Sequence, residues 1–218
     1  MLLNRPKNIN IAAIAAREYI NANYKIFGNL TFENVNGICI VNCDGSATVK
    51  NEEIGKLTDG FEWGEINRHF DCSHCFNLES LEGAPKHIGE NFYCVDCNGL
   101  KSLEGAPEYV GGKFAGTYCV NLTSLKGAPE YVGGGFYCYG CENLESLEGA
   151  PEYVHGDFDC EDCKNLRTLE GAPKTVNLSF YCRNCPNLTS LKGVPKGCKI
   201  CCDERLKKIK FSYKFHIL

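Results

Sequence analysis

A phenylalanine that recurs every 22 residues constrains this chain more than any other feature of its sequence. Six phenylalanines keep this spacing without exception, at positions 70, 92, 114, 136, 158 and 180. The same phrase returns around each of them, most fully as FYCYGCENLESLEGAPEYVHGD from Phe136 to Asp157. Six copies cover residues 70–198. Self-similarity at a fixed period of this length indicates a stack of structural repeats.

Each copy can be interpreted as one coil of a solenoid. Phe136 and Cys138 alternate with Tyr137 and Tyr139, which is the periodicity of a strand whose phenylalanine and cysteine point inward. Two inward leucines follow in every copy, and a Gly-(Ala/Val)-Pro turn comes next. One copy cannot bury these side chains alone, but stacked neighbours can. The sequence therefore predicts a repeat solenoid, mainly β, with an irregular and turn-rich outer side.

The two ends of the stack are less regular. Val35–Cys43 shows the rhythm of the repeat strand, which predicts a degenerate first coil. A short amphipathic helix is expected before it, with Ile11, Ile14, Ala15 and Tyr19 on one face. The chain then divides into an N-terminal cap with this helix, the degenerate coil, six repeats, and a C-terminal cap with a basic tail, at residues 1–34, 35–69, 70–198 and 199–218.

Charge and composition limit the kinds of partner and the cellular compartment that we expect for this chain. The chain is 44% apolar and 23% charged, with a formal net charge of −4. From Lys196 onward, seven basic residues against two acidic ones give +5, which leaves −9 for the rest. An acidic body does not favour nucleic acid, whose binding depends on many phosphate contacts. The apolar run Ile9–Ala16 is too short to span a bilayer. We therefore expect a cytoplasmic protein, of a cell or of an infected host, with no membrane partner.

The repeat phrase resembles the leucine-rich-repeat signature L-x-x-L-x-L-x-x-N/C-x-L. Phe136-x-Cys138-x-x-Cys141 occupies its L-x-L-x-x-C portion. The phrase looks most like the short bacterial, phage and giant-virus repeats with a TSLEGAP element, and the likeness covers about 60% of the chain. The resemblance implies a curved leucine-rich-repeat stack, monomeric or weakly oligomeric. It also implies a viral or bacterial factor. Because the repeats carry no attached effector domain, we expect binding itself to be the function, as an inhibitor or adaptor.

The repeat departs from that signature in two places. Val132 precedes Phe136 by four residues where the signature has three, so we expect a bulge at Gly133-Gly134 to absorb the extra residue. The third copy has Gly116 where the others have their first cysteine.

Five of the six repeats carry a C-x-x-C pair at the same position, and sixteen cysteines occur in all. Two pairs on one ion would make a tetrahedral thiolate site, so a metal or redox function is one hypothesis. However, zinc sites come in discrete groups of four, whereas these pairs run evenly along the stack and break at Gly116. We therefore favour reduced core cysteines with weak hydrogen bonds to neighbouring backbone, and expect no cofactor. The best remaining places for a metal are the pair Cys72/Cys75 with His69 and His74, and the cluster Cys198, Cys201 and Cys202.

Catalytic patterns are missing from the sequence. No Ser, His and Asp fall in the context of a nucleophile elbow, and no glycine-rich phosphate loop leads into a helix. We therefore do not expect an enzyme.

The outward positions of the repeat strands vary while the rest of the phrase is nearly constant. One column reads Asp71, Tyr93, Ala115, Tyr137, Asp159 and Tyr181, and the next reads Ser73, Val95, Thr117, Tyr139, Glu161 and Arg183. Tyrosines are favoured at interfaces, and an acidic end suits a basic partner. We expect a protein partner to bind at Asp71, Tyr93, Tyr137, Tyr139, Asp157, Asp159, Glu161, Tyr181 and Arg183.

A third tyrosine column, at 109, 131 and 153, is expected to pack between coils on the other side. A structural or assembly component that self-associates through a stack end is the remaining alternative.

Overall fold

The computed structural model describes residues 6–208 as a β-solenoid of about seven turns with one N-terminal helix. Each of the first five repeats contributes one short strand to each of two sheets, so that successive coils pair in parallel. The helices are α1 (Pro6–Asn23) and α2 (Glu204–Lys207).

One sheet, here named the phenylalanine sheet, has nine strands. In spatial order they are β1 (Tyr24–Phe27), β4 (Ser46–Val49), β6 (Phe70–Asp71), β8 (Phe92–Tyr93), β10 (Phe114–Ala115), β12 (Phe136–Tyr137), β14 (Phe158–Asp159), β16 (Ser179–Cys182) and β17 (Lys199–Cys202). The other, the valine sheet, has eight. They are β15 (Thr175–Val176), β13 (Tyr153–Val154), β11 (Tyr131–Val132), β9 (Tyr109–Val110), β7 (His87–Ile88), β5 (Glu62–Ile66), β3 (Ile38–Cys43) and β2 (Leu30–Val35).

The six repeat phenylalanines form one stack through the centre of the solenoid. Neighbouring rings lie 4.9 to 5.7 Å apart between centroids and 5 to 16° from parallel. All six side chains are fully buried. Burying a phenylalanine is worth about 2–3 kcal/mol, so this stack supplies much of the stability of the repeats. The prediction that Phe136 and Cys138 point inward is confirmed.

The repeat cysteines form a second ladder in the core. From the second repeat onward, the thiol of the second cysteine donates to the backbone carbonyl of the first cysteine position one coil earlier. The Sγ–O distances run from 3.1 to 3.4 Å at 97→72, 119→94, 141→116, 163→138 and 185→160. The ladder passes through Gly116 because it uses the carbonyl of that position and needs no side chain there.

The sequence predicted an irregular and turn-rich outer side, whereas the structure has a second β-sheet, the valine sheet, in each of the first five repeats. The expected bulge at Gly133-Gly134 is wrong, because these glycines form a corner between β11 and β12. Their backbone N–H groups donate to Val110 and Gly112 of the preceding coil, at 2.9 and 2.7 Å. The corner is close-packed, since a Cβ on Gly133 would lie 2.2 Å from the Gly111 carbonyl oxygen.

The tyrosine column on the valine sheet lies at its surface. Tyr109 and Tyr153 are exposed and Tyr131 is half-buried. The Tyr109 and Tyr131 rings stack with centroids 4.8 Å apart. The prediction that this column packs between coils therefore holds for the stacking but is wrong for the burial.

The N-terminal end differs from the prediction in two ways. Helix α1 buries Ala16 and Ile20 against the core, whereas Ile11 and Ile14 are 67% and 51% exposed, so the expected apolar face was wrong. The strand Ile38–Cys43 belongs to the valine sheet, where it pairs with β5, instead of lying in line with the phenylalanine strands. That place is taken by β4, whose Ala47 pairs with Phe70.

The C-terminal end is closed by Arg205. Its guanidinium donates to the backbone carbonyls of Cys185 and Leu188, which lie in the last repeat. The end of the predicted basic tail, residues 209–218, falls outside the described residues, as do residues 1–5 of the predicted N-terminal cap. No helix within residues 6–208 has the length and apolar character needed to cross a membrane.

Candidate functional site

The outer surface of the phenylalanine sheet is shaped by the turn that ends each of its strands. The residue four positions after each inward phenylalanine has a left-handed backbone, with φ from 56 to 72°, at His74, Asp96, Tyr118, Gly140, Asp162 and Asn184. Only one of these residues is glycine, although this conformation is unfavourable for other residues. The turn sends the second cysteine inward and leaves the strand's outward side chains on a free face.

The strand pairing sets these outward side chains in straight columns. Asp71, Tyr93, Ala115, Tyr137, Asp159 and Tyr181 are direct register partners along the sheet. A further column lies two residues before the column that begins at Asp71. From the sequence, only Asp157 of this further column was assigned to the partner-binding face. The further column consists of His69, Asn91, Lys113, Gly135, Asp157 and Ser179. The same alternation of two could have identified this column from the sequence.

The tyrosines of this face differ in their surroundings. Tyr139 packs edge-on against Tyr118, with ring centroids 5.0 Å apart. Tyr93 lies 6.3 Å from the His69 ring. Tyr137 leans along its own strand and covers Gly135, because a Cβ on that glycine would lie 2.5 Å from the Tyr137 hydroxyl.

The fifth repeat concentrates negative charge on this face. Asp159 Oδ1 accepts a hydrogen bond from the Glu161 backbone N–H at 2.9 Å, and Asp157 Oδ1 accepts one from the Ser179 N–H at 3.0 Å. Burial, together with the nearby carboxylates of Glu161 and Asp157, raises the pKa of Asp159 to about 6 against the opposing backbone hydrogen bond from Glu161. Burial also raises the pKa of Glu161.

Basic side chains compensate this charge only in part. Arg183 Nε lies 3.8 Å from Glu161 Oε1, which is an ion pair without a hydrogen bond. Lys164 Nζ lies 2.7 Å from Asp162 Oδ1, at the adjoining turn. Within residues 6–208, no basic side chain lies within ion-pair distance of Asp157 or Asp159.

His69, just before the first repeat, and His74, within it, each lie beside a carboxylate about one coil further along the stack. His69 Nε2 lies 3.1 Å from Glu90, and His74 Nδ1 lies 3.4 Å from Asp96. Both rings thus contact carboxylates, and within the described residues they form no metal-ligand group with the buried thiols of Cys72 and Cys75.

The C-terminal cysteines do not converge. Cys202 pairs with Cys182 and points inward, whereas Cys201 continues the outward column after Tyr181. The Cys198 thiol donates to the Pro195 carbonyl at 3.3 Å. No group of three or more His, Cys, Asp or Glu side chains in the described part of the chain is placed to hold a metal ion.

Most of the repeat thiols are also poor nucleophiles; Cys119 differs, because a side-chain hydrogen bond with Cys94 lowers its pKa. All sixteen cysteines are free and buried. Burial raises the pKa of the Cys75 thiol to about 12 and that of Cys185 to about 11. A thiol that stays protonated reacts slowly and binds metal weakly.

An open cleft of about 930 Å³ lies at the outer turns, between the first coil and the first repeat. Lys56, Glu79, Glu82 and Lys86 line it together with Phe61. Its charges are of both signs and face solvent.

Comparison with known proteins yields no relative. No protein-family model matches the chain, and neither a curated protein nor a solved structure matches it. What is shown is a β-solenoid of stacked 22-residue repeats.

Proposed function

We propose that the protein is a binding module that recognises another protein through the outer face of the phenylalanine sheet. The supporting observation is the contrast between a constant core and a varied face. The phenylalanine stack and the thiol ladder repeat from coil to coil, whereas the register column changes from Asp71 through Tyr93 and Tyr137 to Tyr181. A face kept only for solubility needs no half-buried tyrosines, which carry binding energy at interfaces.

The class and role follow from the repeat phrase. We propose that the solenoid is of the leucine-rich-repeat class, because its two leucines per coil and its cysteine ladder fit that signature. On the same resemblance, binding itself would be the activity, as an inhibitor or adaptor of bacterial or viral origin. This part rests on family analogy and not on site geometry.

A tyrosine triple variant tests the proposal. A phage-displayed library of random peptides is panned on the wild-type protein, and enriched peptides are measured by fluorescence anisotropy. The variant Tyr93→Ala, Tyr137→Ala and Tyr181→Ala should lose binding by at least about a hundredfold, since such anchors contribute about 1–2 kcal/mol each.

The chain offers a matched control on its other sheet. Tyr109→Ala, Tyr131→Ala and Tyr153→Ala removes the same three side chains from the valine sheet and should leave peptide binding unchanged. Circular dichroism confirms that both variants fold. Enriched peptides that bind both triple variants equally well would contradict the proposed face.

A further inference from the structure

One segment of the face, across three neighbouring strands, has the form of a slot. Tyr137, Asp159 and Tyr181 are register partners on β12, β14 and β16, and all three point outward because Phe136, Phe158 and Phe180 point inward. Adjacent strands lie roughly 4.8 Å apart, so the two tyrosines stand roughly 10 Å from each other with the carboxylate between them. A cation midway would lie within the roughly 6 Å range at which an aromatic ring attracts it, on both sides.

The wall formed by Tyr137 already has a cation on its other side. Lys113 Nζ lies 5.9 Å from the centre of the Tyr137 ring. Lys113 directly precedes β10, whereas Asp157 directly precedes β14 and Asp159 lies on it, so the lysine and the two acids lie on opposite sides of β12. The ring face toward β14 is therefore next to two carboxylates, and no second basic side chain among the described residues lies over the ring.

The floor of the slot is an acid that the fold leaves uncompensated. Asp159 Oδ1 is engaged by the Glu161 N–H, while Oδ2 has no hydrogen-bond or ion-pair partner in the described part of the chain. Elsewhere the stack pairs its carboxylates with lysines of the next coil, as at Glu104–Lys126 (2.9 Å) and Glu152–Lys174 (2.6 Å). A half-buried carboxylate without a cation costs stability, which a chain tolerates where a partner supplies the missing charge.

We propose that the slot formed by Tyr137, Asp159 and Tyr181 receives an arginine side chain of the partner protein. The guanidinium is flat, weakly hydrated and permanently charged, so it can stack on both rings while it donates to Asp159 Oδ2. A lysine ammonium is a compact, strongly hydrated charge and would use the rings less well. This inference rests on the proposed function of the same face and names the chemistry of the partner.

The test uses short labelled peptides as probes. Fluorescein-labelled tetra-arginine, tetra-lysine and tetra-citrulline amides are titrated into the full-length protein at pH 7.5 and low salt. Tetra-arginine should bind several-fold tighter than tetra-lysine, and tetra-citrulline, which has the same shape without the charge, should bind at least about tenfold more weakly. Equal binding of the arginine and citrulline peptides would overturn the proposal.

Variants locate the binding within the slot. Asp159→Asn should weaken tetra-arginine binding roughly tenfold, because it removes the charge and keeps the shape. Glu130→Gln, on the turn beside the valine sheet, changes the net charge equally and should leave binding within about twofold. Equal losses in the two variants would show general electrostatic attraction and refute the slot.

A glycine substitution displaces one wall without deleting it. In Gly135→Ala the new methyl would lie only 2.5 Å from the Tyr137 hydroxyl, so the tyrosine ring must move. Tetra-arginine binding should weaken several-fold, and unchanged binding would mean that the Tyr137 ring is not a wall of the site. If panned peptides need the three tyrosines but contain no arginine, the proposed function stands and this inference fails.

Discussion

Asp159→Asn should stabilise the protein at neutral pH, although it replaces a residue that we place in a binding site. Burial raises the pKa of Asp159 from 3.8 to about 6. Each pKa unit corresponds to about 1.4 kcal/mol, so the charged form is disfavoured by up to about 3 kcal/mol in the folded chain. Because the carboxyl is partly exposed, solvent screening reduces this to about 1–2 kcal/mol. An asparagine oxygen can still accept the Glu161 N–H and carries no charge.

The sign of the pH dependence follows from proton binding. Between the two pKa values, the folded chain holds a proton on Asp159 that the unfolded chain has lost. The contribution of Asp159 to the free energy of unfolding therefore falls as pH rises from about 4 to 6. Above the folded-state pKa of about 6 it levels off. The advantage of Asp159→Asn should be largest at pH 7 and should shrink by more than half at pH 4.5.

Urea unfolding, followed by circular dichroism at both pH values, measures this difference. Asp71→Asn is the matched control, because Asp71 Oδ1 accepts the Ser73 N–H at 2.9 Å in the same position of the first repeat. Its register neighbours are Thr48 and Tyr93, and it lacks the surrounding acids, so its effect should stay within about 0.5 kcal/mol. If Asp159→Asn destabilises the protein at pH 7, or gains nothing over its value at pH 4.5, the reasoning is wrong.

Two further predictions concern the turns and the thiols. Gly149→Ala should cost about 1–3 kcal/mol more than Gly197→Ala in urea unfolding, since both have φ near +88° but only the first would place a Cβ 2.5 Å from Lys126 backbone atoms; equal losses would show that the left-handed backbone alone matters. The sixteen buried cysteines should react with Ellman's reagent at pH 8 only after denaturation, and the protein purified without chelator should hold no stoichiometric metal. Rapid reaction of several thiols in the folded protein, or one equivalent of zinc or iron, would contradict the description of the ladder as inert core.

The sequence alone determined the repeat and its inward-facing residues. A 22-residue period with phenylalanine, cysteine and two leucines in fixed places permits few solutions other than a stack, because no single copy can bury these side chains. The same period fixed the order of the outward column from Asp71 to Tyr181, since strands that repeat in sequence pair in register. The sequence could not assign a function to this column in the same way, because the identity of exposed residues does not show which partner they bind.

The tertiary structure decided what depends on contacts between coils. Strands such as Tyr131–Val132 contain two residues, too few for any alternation to reveal, and they exist because each pairs with the coils on both sides. The apolar face of α1 was set by the end of the stack that it covers. The raised pKa of Asp159 comes first from its burial, and the stacking of coils that places it between Tyr137 and Tyr181 is contained in no linear pattern.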